Sequence, residues 1–318
     1  MRNKLSIFTG NSNPGLAKAI CDYLKVPLGQ AVVGRFPGGE IHVQINDNIR
    51  GHDVFIVQST CEPPNDNLME LLILVDAAKR ASASRVTAVL PYYGYARQDR
   101  KDRPRVPISA KLVANLITTA KADRVLSMDL HAGQIQGFFD IPVDHLYSIN
   151  VLVDYFHKKR IKDLIIVSPD VGGIKMARAY SKVLNVPFAI VDKQRENDRK
   201  TKVMNIIGNV KDKNVVIVDD LVSTAGSLVE ATNALKSAGV KDIYAAIVHP
   251  VLADPAIDRI KKSVIKELVV TDSIPLAKEK RISKIKVLSV APLLAEAIRR
   301  IHEDRSVSSL FKRSAVEA

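Results

Sequence analysis

The segment VVIVDDLVSTAGS, residues 215–227, joins two adjacent carboxylates to a short turn of small and hydroxyl side chains. Its apolar run is typical of a strand buried in a parallel sheet, with Asp219 and Asp220 at the carboxyl end, where ligands of such sheets bind. Backbone N–H groups at a strand-to-helix turn bind phosphate, and paired carboxylates suit vicinal hydroxyls or magnesium. The segment therefore predicts a site for a phosphorylated sugar, with the phosphate held by Ser223, Thr224, Ala225, Gly226 and Ser227.

Helix capping is a simpler interpretation of the same segment. Asp, Ser and Thr favour the N-cap position, and acidic side chains interact favourably with the amino end of a helix. Taken alone, the segment favours phosphate binding only slightly over capping, so both interpretations stay open here.

A dense group of basic side chains follows another predicted strand, in YYGYARQDRKDRPR at residues 92–105. Charge runs are usually solvated surface loops. Arginine, however, offers a forked set of donors that suits a polyphosphate. Two tyrosines and a glycine at a strand end, together with these arginines, favour a mobile lid that covers an active site. The basic residues of this segment are Arg97, Arg100, Lys101, Arg103 and Arg105.

Three further strand ends carry side chains suited to phosphoryl chemistry. Asp129 and His131 follow one strand, and a histidine at this edge is a candidate ligand of a metal–nucleotide complex. Asp170, in SPDVGG, can coordinate magnesium while the glycines permit close approach of a ligand. Lys193 can neutralise a transferring phosphoryl group. The alternatives are a structural histidine and an ordinary loop lysine.

The elements that must position these residues alternate along the chain. Short apolar strands separated by helical patterns predict an α/β fold with mainly parallel sheets, and apolar spacing predicts helices at residues 67–80, 226–238 and 293–301. The halves follow a similar order, which predicts a duplicated domain with a boundary near residues 148–152. The predicted strands are LSIFTG, VFIVQS, RVTAVLPYY, RVLSMDL, LIIVSPD, FAIVDK, NVVIVDD, IYAAIVHP and ELVVTDSI.

Composition limits the class of protein. The chain has 318 residues, 47% of them hydrophobic, no tryptophan and a net charge of +13. This length predicts two domains, and the basic balance predicts anionic partners. Since the basic residues form no long block, soluble phosphate ligands rank ahead of nucleic acid. Cys21 and Cys61 predict neither a disulfide framework nor a zinc site, and the apolar runs are too short to span a bilayer. We therefore expect a cytoplasmic protein with no membrane partner.

Nine motifs recur in order along the chain: FPGGEIHVQI, YARQDRK, PISAKLVANLI, DLHAGQIQGFFDIPVDHL, SPDVGG, VDKQR, VVIVDDLVSTAGS, VVTDSIP and SVSSLF. Together they resemble those of the ribose-phosphate pyrophosphokinase family, over essentially the whole chain. This resemblance implies transfer of the diphosphate of ATP to the C1 hydroxyl of ribose 5-phosphate, giving 5-phosphoribosyl 1-pyrophosphate and AMP.

The fold that the resemblance implies is a pair of phosphoribosyltransferase-like domains in a homo-oligomer, a hexamer built from dimers. Residues 1–148 would form the ATP domain with a lid at 92–107. Residues 149–318 would form the second domain, with the ribose 5-phosphate loop at 219–227. The last helix is a candidate for packing back onto the first domain.

The resemblance also implies a role for individual residues. Asp219 and Asp220 would bind the ribose hydroxyls and the turn at 223–227 the 5-phosphate. The transferring diphosphate would be stabilised by Lys193, Arg195 and Arg97. His131 and Asp170 would bind Mg²⁺. ATP-binding residues would be Phe36, Gly38, Glu40, Arg97, Gln98 and His131, with Phe36 and Glu40 reaching in from a neighbouring subunit.

Several positions depart from the family pattern, and they lie on the predicted ligand face. Ser223 and Gly38 each stand where the family has Asp, and Met176 and Gln194 each stand where it has Arg. The usual THG is VHP at residues 248–250. Two hypotheses stay open: a working enzyme, and a non-catalytic, synthetase-associated regulatory subunit of the same fold. A phosphoribosyltransferase is weaker, since it leaves FPGGE and the DLHAGQIQGFF run unexplained. A nucleic-acid-binding module is weaker still, because no basic patch with interleaved aromatics occurs.

Overall fold

Strands and helices alternate through most of the protein. The structure, a computed structural model, describes residues 4–196 and 201–311, without the side chains of residues 193–196, 201–204, 309 and 311. The strands are β1 (Leu5–Thr9), β2 (Ala31–Arg35), β3 (Ile41–Ile45), β4 (Asp53–Val57), β5 (Arg85–Leu90), β6 (Arg124–Met128), β7 (Val143–Leu146), β8 (Leu164–Ser168), β9 (Phe188–Glu196), β10 (Thr201–Ile207), β11 (Asn214–Val222), β12 (Ile243–Pro250), β13 (Ile265–Thr271) and β14 (Ile285–Leu288). The α-helices are α1 (Pro14–Leu24), α2 (Pro64–Arg80), α3 (Ser109–Thr119), α4 (Ile149–Lys159), α5 (Ile174–Leu184), α6 (Gly226–Ser237), α7 (Ala256–Lys262) and α8 (Ala291–His302).

The chain folds as two compact units. Unit 1 contains Met1–Tyr147, Ser273–Pro275 and Ser289–Leu310, and unit 2 consists mainly of Ser148–Asp272 and Leu276–Leu288. The predicted domain boundary at residue 148 adjoins the end of the long segment of unit 1. The helix α8 lies in unit 1 although it follows unit 2 in the sequence.

Unit 1 is built on a parallel sheet with the strand order β1-β4-β5-β6-β7. The strand β4, DVFIV, is buried at every position, as expected of a strand with helices on both faces. The strands β2 and β3 form a separate antiparallel hairpin. The carboxyl ends of the parallel strands therefore meet at one edge of the unit.

Unit 2 is built on a sheet with the order β10-β9-β8-β11-β12-β13-β14, in which only the β10–β9 pair is antiparallel. Val215, Val216, Ile217 and Val218 of β11 are fully buried at the centre of this sheet. Burying one such side chain contributes about 1.5–3 kcal/mol, so the aliphatic run of β11 anchors the segment that follows it.

The α/β fold with mainly parallel sheets is confirmed, and all nine predicted strand segments contain strands of the structure. The helix α2 begins three residues before the predicted start, while β7, β10, β14 and the β2–β3 hairpin were not predicted as strands. None of the helices in the described ranges 4–196 and 201–311 combines the length and the hydropathy needed to cross a lipid bilayer.

The carboxyl end of α8 is tied to the first residues of β4 and β5. The buried carboxylate of Asp53 accepts hydrogen bonds from Nε and Nη2 of Arg85 at 2.8 and 2.6 Å. Nδ1 of His302 lies 2.9 Å from the same carboxylate, and Arg85 also donates to the carbonyl of Ile301 at 2.8 Å. These contacts, with the packing of α8 against α1, make α8 part of unit 1.

Lys284 caps the carboxyl end of α7. Its ammonium donates to the carbonyl oxygens of Ser263, Lys261 and Ile260 at 2.7, 3.0 and 3.3 Å. We expect Lys284→Met to lower the free energy of unfolding by about 2 kcal/mol, because hydrogen bonds from a charged group to helix-end carbonyls are lost. Urea unfolding measures the change. Lys278→Met, at an exposed position, is the control, and equal stability of the two variants would contradict a capping role.

Candidate active site

The strand that carries Asp219 and Asp220 is two residues longer than the sequence predicted. Parallel pairing with β12 continues as far as Val222 and Pro250, so β11 does not end at the two carboxylates. Both aspartates are half-buried in the last part of the strand. The rigid sheet therefore fixes their backbone positions, and the turn begins at Ser223.

The carboxyl group of Asp219 lies in an environment that disfavours its charge. Burial raises its pKa well above the ordinary value, and the neighbouring Asp220, which is also a hydrogen-bond partner, and then Asp170 raise it further. The backbone N–H of Asp220 donates to Oδ1 of Asp219 at 3.0 Å and opposes these effects only in part. The three acids of unit 2 that the sequence singled out are thus brought together at one edge of the sheet.

Asp170 is held by the turn that follows β8. Its Oδ1 accepts hydrogen bonds from the backbone N–H groups of Gly172 and Gly173 at 2.8 and 3.1 Å. A Cβ at Gly173 would lie 2.6 Å from Oγ of Ser168, so a larger residue would displace the hydroxyl that donates to the carbonyl of Asp170 at 2.6 Å. The turn orients an exposed carboxylate beside the end of β11, because β8 and β11 are parallel neighbours.

The turn between β11 and α6 does not use side-chain capping. The N-cap residue is Ala225, and the structure shows no side-chain hydrogen bond that caps α6 in this described segment. The capping interpretation of the aspartate and hydroxyl residues is therefore wrong. Thr224 and Ser227 are exposed, and Ser223 is half-buried.

Sequence reasoning missed Arg259 of α7. Its side chain donates to the carbonyl of Thr224 at 2.9 Å, and it belongs to no motif that could have revealed it.

The basic segment of unit 1 has a fixed base and an exposed tip. At the base, the N–H of Gly94 donates to Oγ1 of Thr60 at 2.6 Å, and the hydroxyl of the buried Tyr93 donates to the carbonyl of Ala110 at 2.7 Å. The five basic side chains are all exposed, namely Arg97, Arg100, Lys101, Arg103 and Arg105. Gln98 is exposed as well. The segment therefore presents its cations to solvent from an anchored base.

The end of β6 lies close to this basic segment. Asp129 is buried with φ 40°, and His131 is exposed two residues later. Nε2 of His145 accepts a hydrogen bond from the N–H of Leu130 at 2.9 Å. This bond fixes the backbone between Asp129 and His131. Nε2 of Gln134 donates to Oδ2 of Asp99 at 2.9 Å and links the DLHAGQIQ segment to the basic segment.

The FPGGE motif forms the tip of the β2–β3 hairpin. Phe36 is 51% exposed and packs edge-on against His42, with ring centroids 4.8 Å apart. Glu40 is exposed, and the turn uses φ +91° at Gly39. A Cβ at Gly38 would meet open space, so the glycine in place of the family's aspartate is not a steric requirement.

Lys193, Gln194 and Arg195 lie in β9, where the backbone of Lys193 pairs with Met204 of β10. Their side chains lie outside the described set, so the roles assigned to Lys193 and Arg195 stay predictions. Met176 is half-buried in α5, and Pro250 ends β12 beside Val222. Nothing in the structure explains these last two departures. Across the described side chains, no group of three or more His, Cys, Asp or Glu has the arrangement of a metal cage.

Comparison with known proteins covers nearly the whole chain. Residues 5–120 match the model of the N-terminal domain of ribose phosphate pyrophosphokinase, and residues 196–312 match the phosphoribosyl synthetase-associated domain. The chain is 58% identical to a ribose-phosphate pyrophosphokinase of Caldanaerobacter subterraneus subsp. tengcongensis, over 97% of this chain and 98% of the relative. It is 55% identical to that of Bacillus subtilis, over 96% and 97%. Its structure is similar to a crystal structure of phosphoribosylpyrophosphate synthetase from Mycobacterium smegmatis, with TM-score 0.91, 42% identity, and coverage of 95% of this chain and 100% of that one.

Proposed function

The chain belongs to the ribose-phosphate pyrophosphokinase family, and we propose that residues of unit 1 bind ATP while residues of unit 2 bind ribose 5-phosphate. The enzyme transfers the diphosphate of ATP to ribose 5-phosphate and releases 5-phosphoribosyl 1-pyrophosphate and AMP. The C1 hydroxyl oxygen bonds to the β-phosphorus, the bond from that phosphorus to the oxygen bridging to the α-phosphate breaks, and the hydroxyl proton is released. Such a transfer depends mainly on positioning and charge neutralisation.

The observation that carries the sugar site is the geometry at the end of β11. Two sheet-anchored carboxylates, Asp219 and Asp220, lie in the last part of β11, and the turn that follows the strand opens α6 without a side-chain cap. Carboxylate oxygens accept strong hydrogen bonds from vicinal hydroxyls, and the amino end of a helix attracts phosphate. In the proposed complex the carboxylates hold the ribose hydroxyls. The phosphate lies at the turn formed by Ser223, Thr224, Ala225, Gly226 and Ser227.

The residues proposed to bind ATP have side chains exposed to solvent, and most of them follow backbone segments that are held by hydrogen bonds. Arg97 and Gln98 extend from the anchored base of the basic segment, and His131 follows the fixed end of β6. In the proposal Arg97, with Lys193 and Arg195 of β9, neutralises the transferring diphosphate. Positioned cations act on charge that develops during transfer, so they serve turnover more than binding.

A metal ion suits the chemistry of the acidic edge. Asp170 offers carboxylate oxygens, and a cation beside it would offset the burial and the repulsion between carboxylates that together raise the pKa of Asp219. Mg²⁺ is usually bound through one or two carboxylates plus substrate phosphates rather than by a protein cage. We assign Asp170 and His131 to the Mg²⁺–nucleotide complex. When bound, Mg²⁺ supplies charge neutralisation on the diphosphate.

The hairpin tip supports an oligomeric site. Phe36, Gly38 and Glu40 are exposed at the end of β2–β3, and an aromatic ring left half in solvent suits stacking on a base. We propose that these residues line the adenine site of a neighbouring subunit in a hexamer built from dimers. The cytoplasmic location stays the prediction made from the sequence.

The regulatory-subunit hypothesis is not favoured. Relatives that are 54–58% identical over nearly their whole length are named as ribose-phosphate pyrophosphokinases. The residues proposed for chemistry are also kept, including Arg97, His131, Asp170, Asp219 and Asp220.

Purified protein with ATP, Mg²⁺ and ribose 5-phosphate tests the proposal. We expect equal amounts of AMP and 5-phosphoribosyl 1-pyrophosphate, and loss of both when a chelator removes the metal. A protein that produces neither, yet changes the activity of an added synthetase, would establish the regulatory role instead.

Ser223→Asp tests the departure nearest the sugar. Ser223 is half-buried directly after β11, so an aspartate there would offer one more acceptor to a ribose hydroxyl. We expect KM for ribose 5-phosphate to fall by roughly two- to tenfold, since hydrogen bonds to charged acceptors are stronger than neutral ones. Steady-state kinetics at saturating ATP measures it, with Ser223→Asn as the uncharged control. Unchanged KM in the aspartate variant would show that the third carboxylate is dispensable.

A further inference from the structure

The turn after β11 receives a hydrogen bond from a distant part of unit 2. Nη1 of Arg259, in α7, donates to the carbonyl oxygen of Thr224 at 2.9 Å across a separation of 35 residues. The helix α7 begins six residues after the end of β12, whose carboxyl end pairs with that of β11. The parallel pairing of these two strands therefore brings Arg259 to the turn.

This hydrogen bond stabilises a backbone conformation that is unfavourable by itself. Ala225, the residue after Thr224, adopts the left-handed conformation with φ 58° and ψ 10°. This conformation costs roughly 1–2 kcal/mol for a residue with a Cβ, so surrounding contacts must maintain it. Ala225 is buried, its carbonyl accepts the N–H of Val229 at 3.0 Å, and Arg259 holds the preceding carbonyl.

The guanidinium of Arg259 also packs against the first residue of α6. A Cβ placed on Gly226 would lie 3.3 Å from Nη1 and 3.9 Å from Cζ of Arg259. A fixed positive charge therefore adjoins the amino end of α6, where the helix dipole already favours an anion. Arg259 therefore contributes both to the shape of the turn and to its local charge.

The helix that carries Arg259 is itself restrained. Its carboxyl end is capped by Lys284, and the N–H of Arg259 donates to the carbonyl of Pro255 at 3.2 Å. The side chain thus extends from a supported helix to the turn, although its outer part is exposed to solvent.

We propose that Arg259 is a positioning residue for ribose 5-phosphate: it holds the turn at 223–227 in the shape that receives the 5-phosphate. The inference rests on the proposed function of this turn. Arg259 acts on one substrate through the turn. Its loss should therefore weaken the binding of ribose 5-phosphate and leave the binding of ATP and the rate of the transfer step largely unaffected.

Kinetics of Arg259→Met and Arg259→Lys test the proposal. We expect KM for ribose 5-phosphate to rise about tenfold or more in the methionine variant, as for loss of a hydrogen bond from a charged donor. The kcat at saturating substrate and KM for ATP should change by less than about twofold on the same reasoning. The lysine variant should recover part of the loss, since it keeps the charge and one donor. Lys262→Met, which removes a positive charge from the exposed part of α7, is the control and should retain the parent KM.

A double-variant cycle with Gly226→Ala separates positioning from a general loss of stability. The new Cβ of Gly226→Ala approaches the guanidinium, so it should raise KM for ribose 5-phosphate when Arg259 is present and raise it less in the Arg259→Met background. Additive effects, or an equal rise in KM for ATP, would overturn the proposal.

Direct binding keeps this inference separate from the proposed function. Calorimetric titration with ribose 5-phosphate compares the full-length protein with Arg259→Met without requiring turnover. Binding by the parent that weakens in the variant supports the inference even if no product forms. Equal affinity in the two proteins would overturn it even if the enzyme is fully active.

Discussion

Gly94→Ala should reduce turnover by about a hundredfold, because a displacement of about 1 Å in a positioning element can cost this much. A Cβ at this position would lie 2.3 Å from the carbonyl oxygen of Thr60, a backbone atom in the buried segment after β4. The chain at residues 92–96 must therefore move, and the hydrogen bond from Gly94 to Oγ1 of Thr60 would be lost. Since Arg97 and Gln98 continue directly from this base, their position relative to the diphosphate changes with it.

Steady-state kinetics and thermal unfolding together identify this effect. Overpacking costs typically about 1–3 kcal/mol, so most of the variant should remain folded at the assay temperature. Gly137→Ala, which adds a Cβ where nothing lies within 4 Å, is the matched control in the same unit. A Gly94→Ala enzyme with parental kcat would show that the basic segment does not take part in the transfer.

Asp219→Asn should lower catalytic efficiency with ribose 5-phosphate by about ten- to a hundredfold, while making the ligand-free protein more stable. The loss follows from replacing a charged acceptor for a ribose hydroxyl, and such hydrogen bonds contribute about 1.5–3 kcal/mol. The gain in stability follows because burial and the nearby carboxylates of Asp220 and Asp170 disfavour the charge of Asp219. The amide keeps an oxygen that can accept the N–H of Asp220.

The stability difference should depend on pH in a defined direction. The folded-state pKa of Asp219 is raised, so the folded protein holds this proton more tightly than the unfolded chain does. The contribution is therefore fully present below the unfolded value of about 4 and is lost as pH rises through the folded pKa. The stability of Asp219→Asn relative to the parent should accordingly increase from acid to neutral pH.

Urea unfolding in the presence of a chelator, at several pH values, measures this difference. Asp154→Asn, at an exposed position of α4, is the control and should match the parent at each pH. An Asp219→Asn protein that is less stable than the parent at neutral pH would contradict the claim that burial and the nearby carboxylates disfavour the charge of Asp219. One with parental efficiency would contradict the assignment of Asp219 to the sugar.

Three of the strands that the sequence predicted are buried at every position, and none of β2, β3, β7 and β14 is. β4, β8 and β12 are buried at every position, and this produces the continuous apolar runs that mark strands covered on both faces. β7 and β14 have only four residues each, and β10 lies at an edge of the sheet. The β2–β3 hairpin has no fully buried residue, so its pattern carries little apolar signal.

The candidate site divides in the same way. The acids at the ends of β8 and β11 stand out in the sequence because carboxylates follow buried runs. Arg259 does not stand out, because it is one basic residue among several on a short helix. Its relation to Thr224 exists only once β12 pairs with β11.

The sequence by itself determined the fold class and the chemical types at the strand ends, since both depend on periodicity and on neighbouring residues in the chain. In the opening segment it also indicated a sugar-phosphate site but could not choose between phosphate binding and helix capping. The tertiary structure excluded side-chain capping, because β11 runs on to Val222 and α6 begins directly after Ala225 without a side-chain cap; the phosphate site stays a proposal. It also placed Asp170 near Asp219 and Arg259 at the turn, because parallel pairing brings together strand ends that are dozens of residues apart. No local pattern encodes which strands become neighbours.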